Sequence, residues 1–165
     1  MDVIAMNIRP MVAADIGEVV QLENKIYAQP WSERAFEDEL AHADGHYVVV
    51  ESDAGIVGYA GMFVTDEEAH ITNVAVVEEL RGQGLGTRLI LQLVDLARQS
   101  GVGSLTLEVR LSNYAARDIY RRFGFVPARV RKDYYRDDDA LIMWANDIGD
   151  DAYAARVEEI RRSLR

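Results

Sequence analysis

Apolar positions recur along the chain in two rhythms, and the changes of rhythm lay out the elements. Ile4, Met6 and Ile8 alternate with polar residues over Val3 to Met11, ending near Arg9-Pro10, which predicts a first strand. From Ala13 to Ile26 the spacing becomes helical, with Ile16, Val19, Val20, Leu22, Glu23 and Ile26 in register and Gly17 a tolerated weak point. Tyr27-Ala28-Gln29-Pro30 breaks that helix. Ser32 then caps a second one, with Glu33 in its first turn and Phe36 and Leu40 on one face. His46 to Ser52 and Ile56 to Thr65 are β-rich apolar runs around Asp53-Ala54-Gly55, a hairpin signal. Ala69 to Val77 adds a fourth strand after the acidic turn Asp66-Glu67-Glu68.

Leu85, Leu89, Ile90, Leu93, Leu96 and Ala97 return to helical spacing until Ser100-Gly101 stops them. Ser104 to Arg110 is a fifth strand, with Leu105, Leu107 and Val109 on one face and Thr106, Glu108 and Arg110 on the other. Asn113 caps a helix whose inner residues are Ala115, Ala116, Ile119, Tyr120 and Phe123, and Gly124 ends it. Phe125 to about Arg131 and Ala140 to Ala145 read as two last strands. Lys132 to Asp139 between them reads as a polar loop carrying two exposed tyrosines, Tyr134 and Tyr135. Asp150 to Arg165 reads as a charged terminal helix with Tyr153, Val157, Ile160 and Leu164 on one side. This order implies an α/β domain with a mixed sheet, spanning residues 1–147, and a C-terminal helical extension over 148–165.

Composition narrows the chemistry. With no cysteine, disulfides, thiolate metal sites and a cysteine nucleophile are excluded. His42, His46 and His70 are scattered without ligand spacing, so no metal is expected. The start of the chain lacks a basic, apolar signal segment and no apolar run reaches the length of a membrane span, so the expectation is a cytoplasmic protein without a membrane partner. A net charge of −10 argues against nucleic acid and for a basic partner. Acids crowd residues 1–60, eleven of them against Arg9, Lys25 and Arg34, while residues 110–132 hold seven bases against Asp118. That asymmetry suits an acidic substrate side and a basic side near an anionic cofactor; solvated faces of ordinary helices explain single charges nearly as well.

Between the fourth strand and the long helix lies Arg81-Gly82-Gln83-Gly84-Leu85-Gly86. Glycine lets the backbone approach a ligand, and a helix N-terminus offers unpaired N–H groups with partial positive charge, which together suit a phosphate. A dinucleotide fingerprint would need glycine where Thr87 stands, and a Walker loop would need a lysine that is absent. What remains, Arg-x-x-Gly-x-Gly after a strand, resembles the acetyl-CoA pyrophosphate loop of the GNAT N-acetyltransferases. The element order resembles that family from Val3 to about Asn146. Leu107-Glu108-Val109-Arg110, Ser112-Asn113, Ala116, Ile119-Tyr120, Gly124-Phe125, Tyr134-Tyr135 and Pro30-Trp31-Ser32 narrow the similarity to its RimI group.

The resemblance implies the GNAT fold: a mixed seven-stranded sheet flanked by about four helices and splayed between the fourth and fifth strands, with acetyl-CoA as cosubstrate. It implies that backbone groups of Val74, Ala75 and Val76 hold the pantetheine and acetyl group. Arg81, Gly82, Gln83, Gly84, Leu85, Gly86 and Thr87 would hold the pyrophosphate. Asn113 would bond the pantetheine arm, beside small Ala115 and Ala116 and near Tyr120. Trp31, Tyr134 and Tyr135 would meet the acceptor, which in this group is the N-terminal α-amine, often of alanine, on a ribosomal protein. The enzyme is then expected as a monomer or weak dimer.

The chemistry has its own logic. Acetyl transfer to nitrogen needs a neutral amine, a polarised thioester carbonyl and a proton for the departing thiolate. Without cysteine, direct attack in a ternary complex is the expected route. Glu108 is the candidate base, acting through water, and Tyr120 the candidate acid, since a phenol of pKa ~10 can reprotonate a thiolate. Each residue has a second reading. Glu108 can pair with Arg110 or another arginine, Tyr120 can be core, Asn113 can be an N-cap alone, and the three aromatics can shield an edge. Arg117, Arg121 and Arg122 are candidate phosphate partners or plain exposed helix cations. At the level of function, acetylation of lysine or a small amine, and a non-catalytic acyl-CoA-binding module, stand as alternatives.

Overall fold

The computed structural model describes Asp2 and residues 5–165. Strand β1 is Asn7–Pro10; the part of the expected first strand at Val3 and Ile4 lies outside the described residues. A 3₁₀ turn at Ala13–Asp15 leads into α1, Ile16–Ile26. There follow α2 (Glu33–Ala41), β2 (Gly45–Ser52), β3 (Gly55–Val64) and β4 (Glu68–Val76). The rest are α3 (Leu85–Gln99), β5 (Ser104–Arg110), α4 (Tyr114–Arg122), β6 (Val126–Tyr135), β7 (Asp138–Asn146) and α5 (Asp151–Ser163). Among the described residues, seven strands form one mixed sheet in the order β1-β2-β3-β4-β5-β7-β6, with five α-helices: the four expected of the domain and the expected C-terminal one.

The parallel pairing of β4 with β5 is short. It runs from Glu68↔Ser104 to Ile71↔Leu107, and both strands continue beyond it, to Val76 and to Arg110. Contacts divide the chain into two units, one of residues up to Phe63 with Asn73–Leu93, the other of Val64–Thr72 with Val94–Arg165.

In the first unit, Met11, Ile16, Val19, Phe36, Tyr47, Val49, Ile56, Tyr59 and Ala75 form one buried cluster, with Trp31 and Leu40 packed against it. These are the apolar stripes of α1 and α2 laid on the sheet, the arrangement their helical spacing predicts. Ser32 caps α2 through its side chain, which accepts from the Ala35 N–H at 3.1 Å.

In the second unit, Leu105, Leu107 and Val109 of β5 are buried, as their alternation requires. The last strands differ from the expected ones. Lys132 to Asp139 is not a loop: β6 runs to Tyr135 and β7 begins at Asp138, so only Arg136 and Asp137 turn. The pattern concealed this because the pairing slips between Arg131 and Tyr135, where Asp133 takes φ +56° and its N–H bonds Asp139. A bulge of this kind breaks the period of two on which a strand is recognised.

Tyr153, Val157 and Ile160 of α5 are buried. Among the described residues, no helix is long and apolar enough to cross a membrane.

Candidate active site

The glycine loop belongs to the first unit. After β4 a 3₁₀ turn at Glu78–Leu80 brings the chain to Arg81, whose Nε donates back to the Val76 carbonyl at 3.1 Å. Gly82 and Gly84 then take φ +79° and +90°, a region that costs other residues about 1–2 kcal/mol. A Cβ on Gly82 would meet nothing within 4 Å, so conformation, not space, demands glycine there. The Arg88 N–H makes the first helical bond, to Gly84, at 3.0 Å. The N–H groups of Leu85, Gly86 and Thr87 therefore precede any helical acceptor and face the loop's end of α3, the arrangement that receives an anion. Buried Leu85 and Thr87 anchor this turn, while Arg81, Gly82 and Gln83 are exposed.

Two bonds of the same unit fix the segment between α1 and α2. Glu23, 3% exposed, accepts the Tyr59 hydroxyl at 2.5 Å and the Trp31 N–H at 2.9 Å. Burial and that carboxylate push the Tyr59 phenol well above its ordinary range. The Trp31 ring packs on Phe36, centroids 5.3 Å apart, and the Tyr27 hydroxyl donates to the Val74 carbonyl at 3.1 Å. Thus the carbonyls of Val74 and Val76, both expected to face the cofactor, have side-chain partners within the protein. Neither Glu23 nor Tyr27 was selected from the sequence: Glu23 sits in an apolar helical stripe, and no spacing rule announces a bond from Tyr27 to β4.

In the second unit, α4 carries Asn113 and Tyr120. Asn113 Oδ1 accepts from the Ala116 N–H at 3.2 Å, so the residue is an N-cap, and its amide nitrogen is a separate donor. Ala116 is half-buried and Ala115 exposed, not inner as its spacing suggested. At the other end Gly124 takes φ +83°, its N–H bonding Arg121 and that of Phe125 bonding Tyr120. This is a Schellman closure, whose accompanying apolar contact is Tyr120 against Phe125, ring centroids 5.7 Å apart. The helix end itself thereby fixes Tyr120, 8% exposed. The Arg122 carbonyl accepts from Arg156 at 3.2 Å and that of Phe123 from the Tyr153 hydroxyl at 2.7 Å. Arg117, Arg121 and Arg122 have local partners in the Leu111 carbonyl, Asp118 and Ser163.

Glu108 lies on β5, its side chain 20% exposed, with Arg131 Nη1 at 2.9 Å from Oε1. The neighbouring Glu108 carboxylate, more than burial, holds the Tyr134 phenol above its usual range. Arg131 stands 4.6 Å from the Tyr134 ring centre, Tyr134 meets Tyr135 edge-on at 5.1 Å, and Arg110 stands 4.4 Å from the Tyr135 ring centre. Arg110 itself pairs with Asp137, whose carboxyl it keeps below the usual range. Burial, then the charge of Glu108, raises the Tyr135 phenol. Glu108, Tyr134 and Tyr135 thus gather on one sheet face, joined by Arg131, which no sequence pattern singled out.

A family model described as the acetyltransferase (GNAT) family matches residues 16–125, about two thirds of the chain. The chain belongs to the GNAT acetyltransferase family. It is 40% identical over 140 residues to a Bacillus subtilis protein provisionally named a ribosomal protein bS18-alanine N-acetyltransferase, covering 83% of this chain and 93% of the relative. It is 35% identical to the N-alpha-acetyltransferase RimI of Mycobacterium tuberculosis, covering 79% of this chain and 85% of the relative. The crystal structure of the ribosomal-protein-S18-alanine N-acetyltransferase from Escherichia coli superposes with a TM-score of 0.79 at 32% identity, covering 86% of this chain and 94% of that one.

Proposed function

We propose that the protein transfers the acetyl group of acetyl-CoA to the N-terminal α-amine of a ribosomal protein. What carries the acceptor reading is the setting of Glu108, on an open sheet face beside Tyr134, which is 49% exposed. Such a face suits a peptide end, whereas a small amine needs an enclosing pocket. The names of the relatives supply the ribosomal substrate, and the chain's charge of −10 suits a basic one.

In this reading the N–H groups at Leu85–Thr87 hold the pyrophosphate, Val74 to Val76 contribute the backbone groups still unengaged, and the Asn113 amide bonds the pantetheine arm. Trp31, Tyr134 and Tyr135 hold the peptide. Glu108 takes one proton from the attacking amine through water. The N–C bond forms as the C–S bond breaks, and Tyr120 gives its proton to the sulfur. The base has modest work, because an α-amine of pKa ~7.7–8.0 is already about one-tenth neutral at pH 7. The test is CoA release with three peptides: one beginning Ala-Arg with a free amine, one with that amine blocked, and one blocked peptide with an internal lysine. Turnover confined to the free terminus is expected; turnover on the blocked lysine peptide would move the acceptor to a side chain.

A further inference from the structure

The charge beside Glu108 is set across three strands. On β7, Ile142 pairs with Glu108, while Ala140 lies between Arg110 on β5 and Arg131 on β6. Neighbouring strands lie about 4.8 Å apart, so Arg131 reaches Glu108 only by crossing β7, and Ala140 puts no side chain beyond Cβ in its way. Arg110 is nearer to Glu108 along the chain and on the same face of β5, yet it turns to Asp137. The guanidinium of Arg131 is held over the Tyr134 ring, and the same guanidinium donates to Glu108 at 2.9 Å. The groups facing this carboxylate are therefore Arg131 and Tyr134 of β6. Arg110 of its own strand is paired with Asp137, Tyr135 lies beyond, and Asp138 of β7 is bonded to Ser112.

We propose that Arg131 is a positioning residue: by pairing with Glu108 it keeps that carboxylate from holding the acceptor as its unreactive ammonium form. This rests on the acceptor reading above. An unpaired carboxylate beside the acceptor attracts ammonium, the unreactive form. At pH 7 about one α-amine in ten is neutral but only about one lysine in 2,500. These neutral fractions alone separate the two by roughly 250-fold in kcat/KM at equal intrinsic reactivity, so the binding of ammonium shows itself in kcat and KM. Removing Arg131 leaves Glu108 to bind ammonium, and both acceptors then occupy the site in protonated form.

The experiment compares wild type, Arg131→Met and Arg131→Lys, each loaded with CoA and titrated calorimetrically at pH 6 and pH 9 with the free-amine, blocked and internal-lysine peptides. Methionine keeps the apolar stem on Tyr134, and lysine restores the charge. In wild type the free amine adds less than about threefold to affinity at pH 6. In Arg131→Met it adds about tenfold at pH 6 and little at pH 9, and Arg131→Lys returns toward wild type. With acetyl-CoA, Arg131→Met shows kcat and KM both down about tenfold on the Ala-Arg peptide, with kcat/KM close to wild type. Loss of affinity for all peptides at both pH values would reduce Arg131 to a structural part and overturn the proposal. If wild type prefers the free-amine peptide and Arg131→Met shows no greater preference at pH 6, the proposal alone falls. If no variant distinguishes free from blocked peptide, the acceptor reading falls with it.

Discussion

Each unit of the molecule holds a glutamate set beside a tyrosine, and the two are built for different ends. Glu23 is sealed from water and gives both oxygens to groups of its own core, the Tyr59 hydroxyl and the Trp31 N–H. Glu108 keeps a fifth of its side chain in solvent, and its partners, Arg131 and Tyr134, are themselves exposed. A carboxylate satisfied on every side serves as a brace, because displacing its donors leaves buried polar groups unpaired. A carboxylate with exposed partners can exchange them for water or substrate, as a base must. The surroundings, more than the residue type, separate the two roles.

The sharpest way to break this contrast is to remove the negative charge from each in turn. Glu108→Gln is expected to lower kcat on the Ala-Arg peptide by about 10²–10³-fold, the range of a lost general base. Acetyl-CoA affinity and melting temperature should stay close to wild type; a variant that turns over normally ends the catalytic assignment. Glu23→Gln should do the reverse. Its amide nitrogen cannot accept, so one of two buried donors is orphaned at a cost of about 1–3 kcal/mol. The thermal midpoint then falls by roughly 3–8 °C in a chain of this length, with kcat changed only a few-fold.

A smaller effect tests the packing behind Tyr120. Burial pushes the Tyr153 phenol up to about 12. A phenol whose folded pKa is raised contributes stability that is complete below its unfolded value near 10 and is lost as pH rises through the folded value. Wild type should therefore lose stability between about pH 10 and 12, and Tyr153→Phe, about 1 kcal/mol weaker at neutral pH, should lose less in that window; denaturation curves at pH 8 and pH 11 decide it. The smallest effect is local. In Glu108→Gln the Tyr134 phenol should titrate closer to its ordinary value, since the carboxylate that raises it is gone, and carbon-13 NMR of labelled tyrosine would register the change. An unmoved Tyr134 would mean that its partner lies elsewhere.

Features set by local chain geometry were legible in the sequence. The glycine-rich turn before α3 was placed correctly, Gly124 announced the end of α4, and β5 has the bounds its alternation predicted. Features that depend on pairing were not. Whether Glu108 meets Arg110 or another arginine is decided by the register of β5, β7 and β6, and by Ala140 between the two arginines. The bulge near Asp133 hid the end of β6, so Tyr135 looked more exposed than it is. Glu23 looked like one more position on an amphipathic face, because helical period reports direction toward the core and not what waits there.

The closure of α4 has a consequence for the order in which the protein is made. The carbonyls of Tyr120 and Arg121 are satisfied by amides one to three residues downstream of α4, at Phe123, Gly124 and Phe125. Those of Arg122 and Phe123 wait for Arg156 and Tyr153. During synthesis some thirty residues must therefore follow before the helix bearing Tyr120 gains its last partners. A nascent chain halted after β7 would hold Tyr120 by its local closure alone and leave the Arg122 and Phe123 carbonyls to water until α5 has cleared the ribosome and docked.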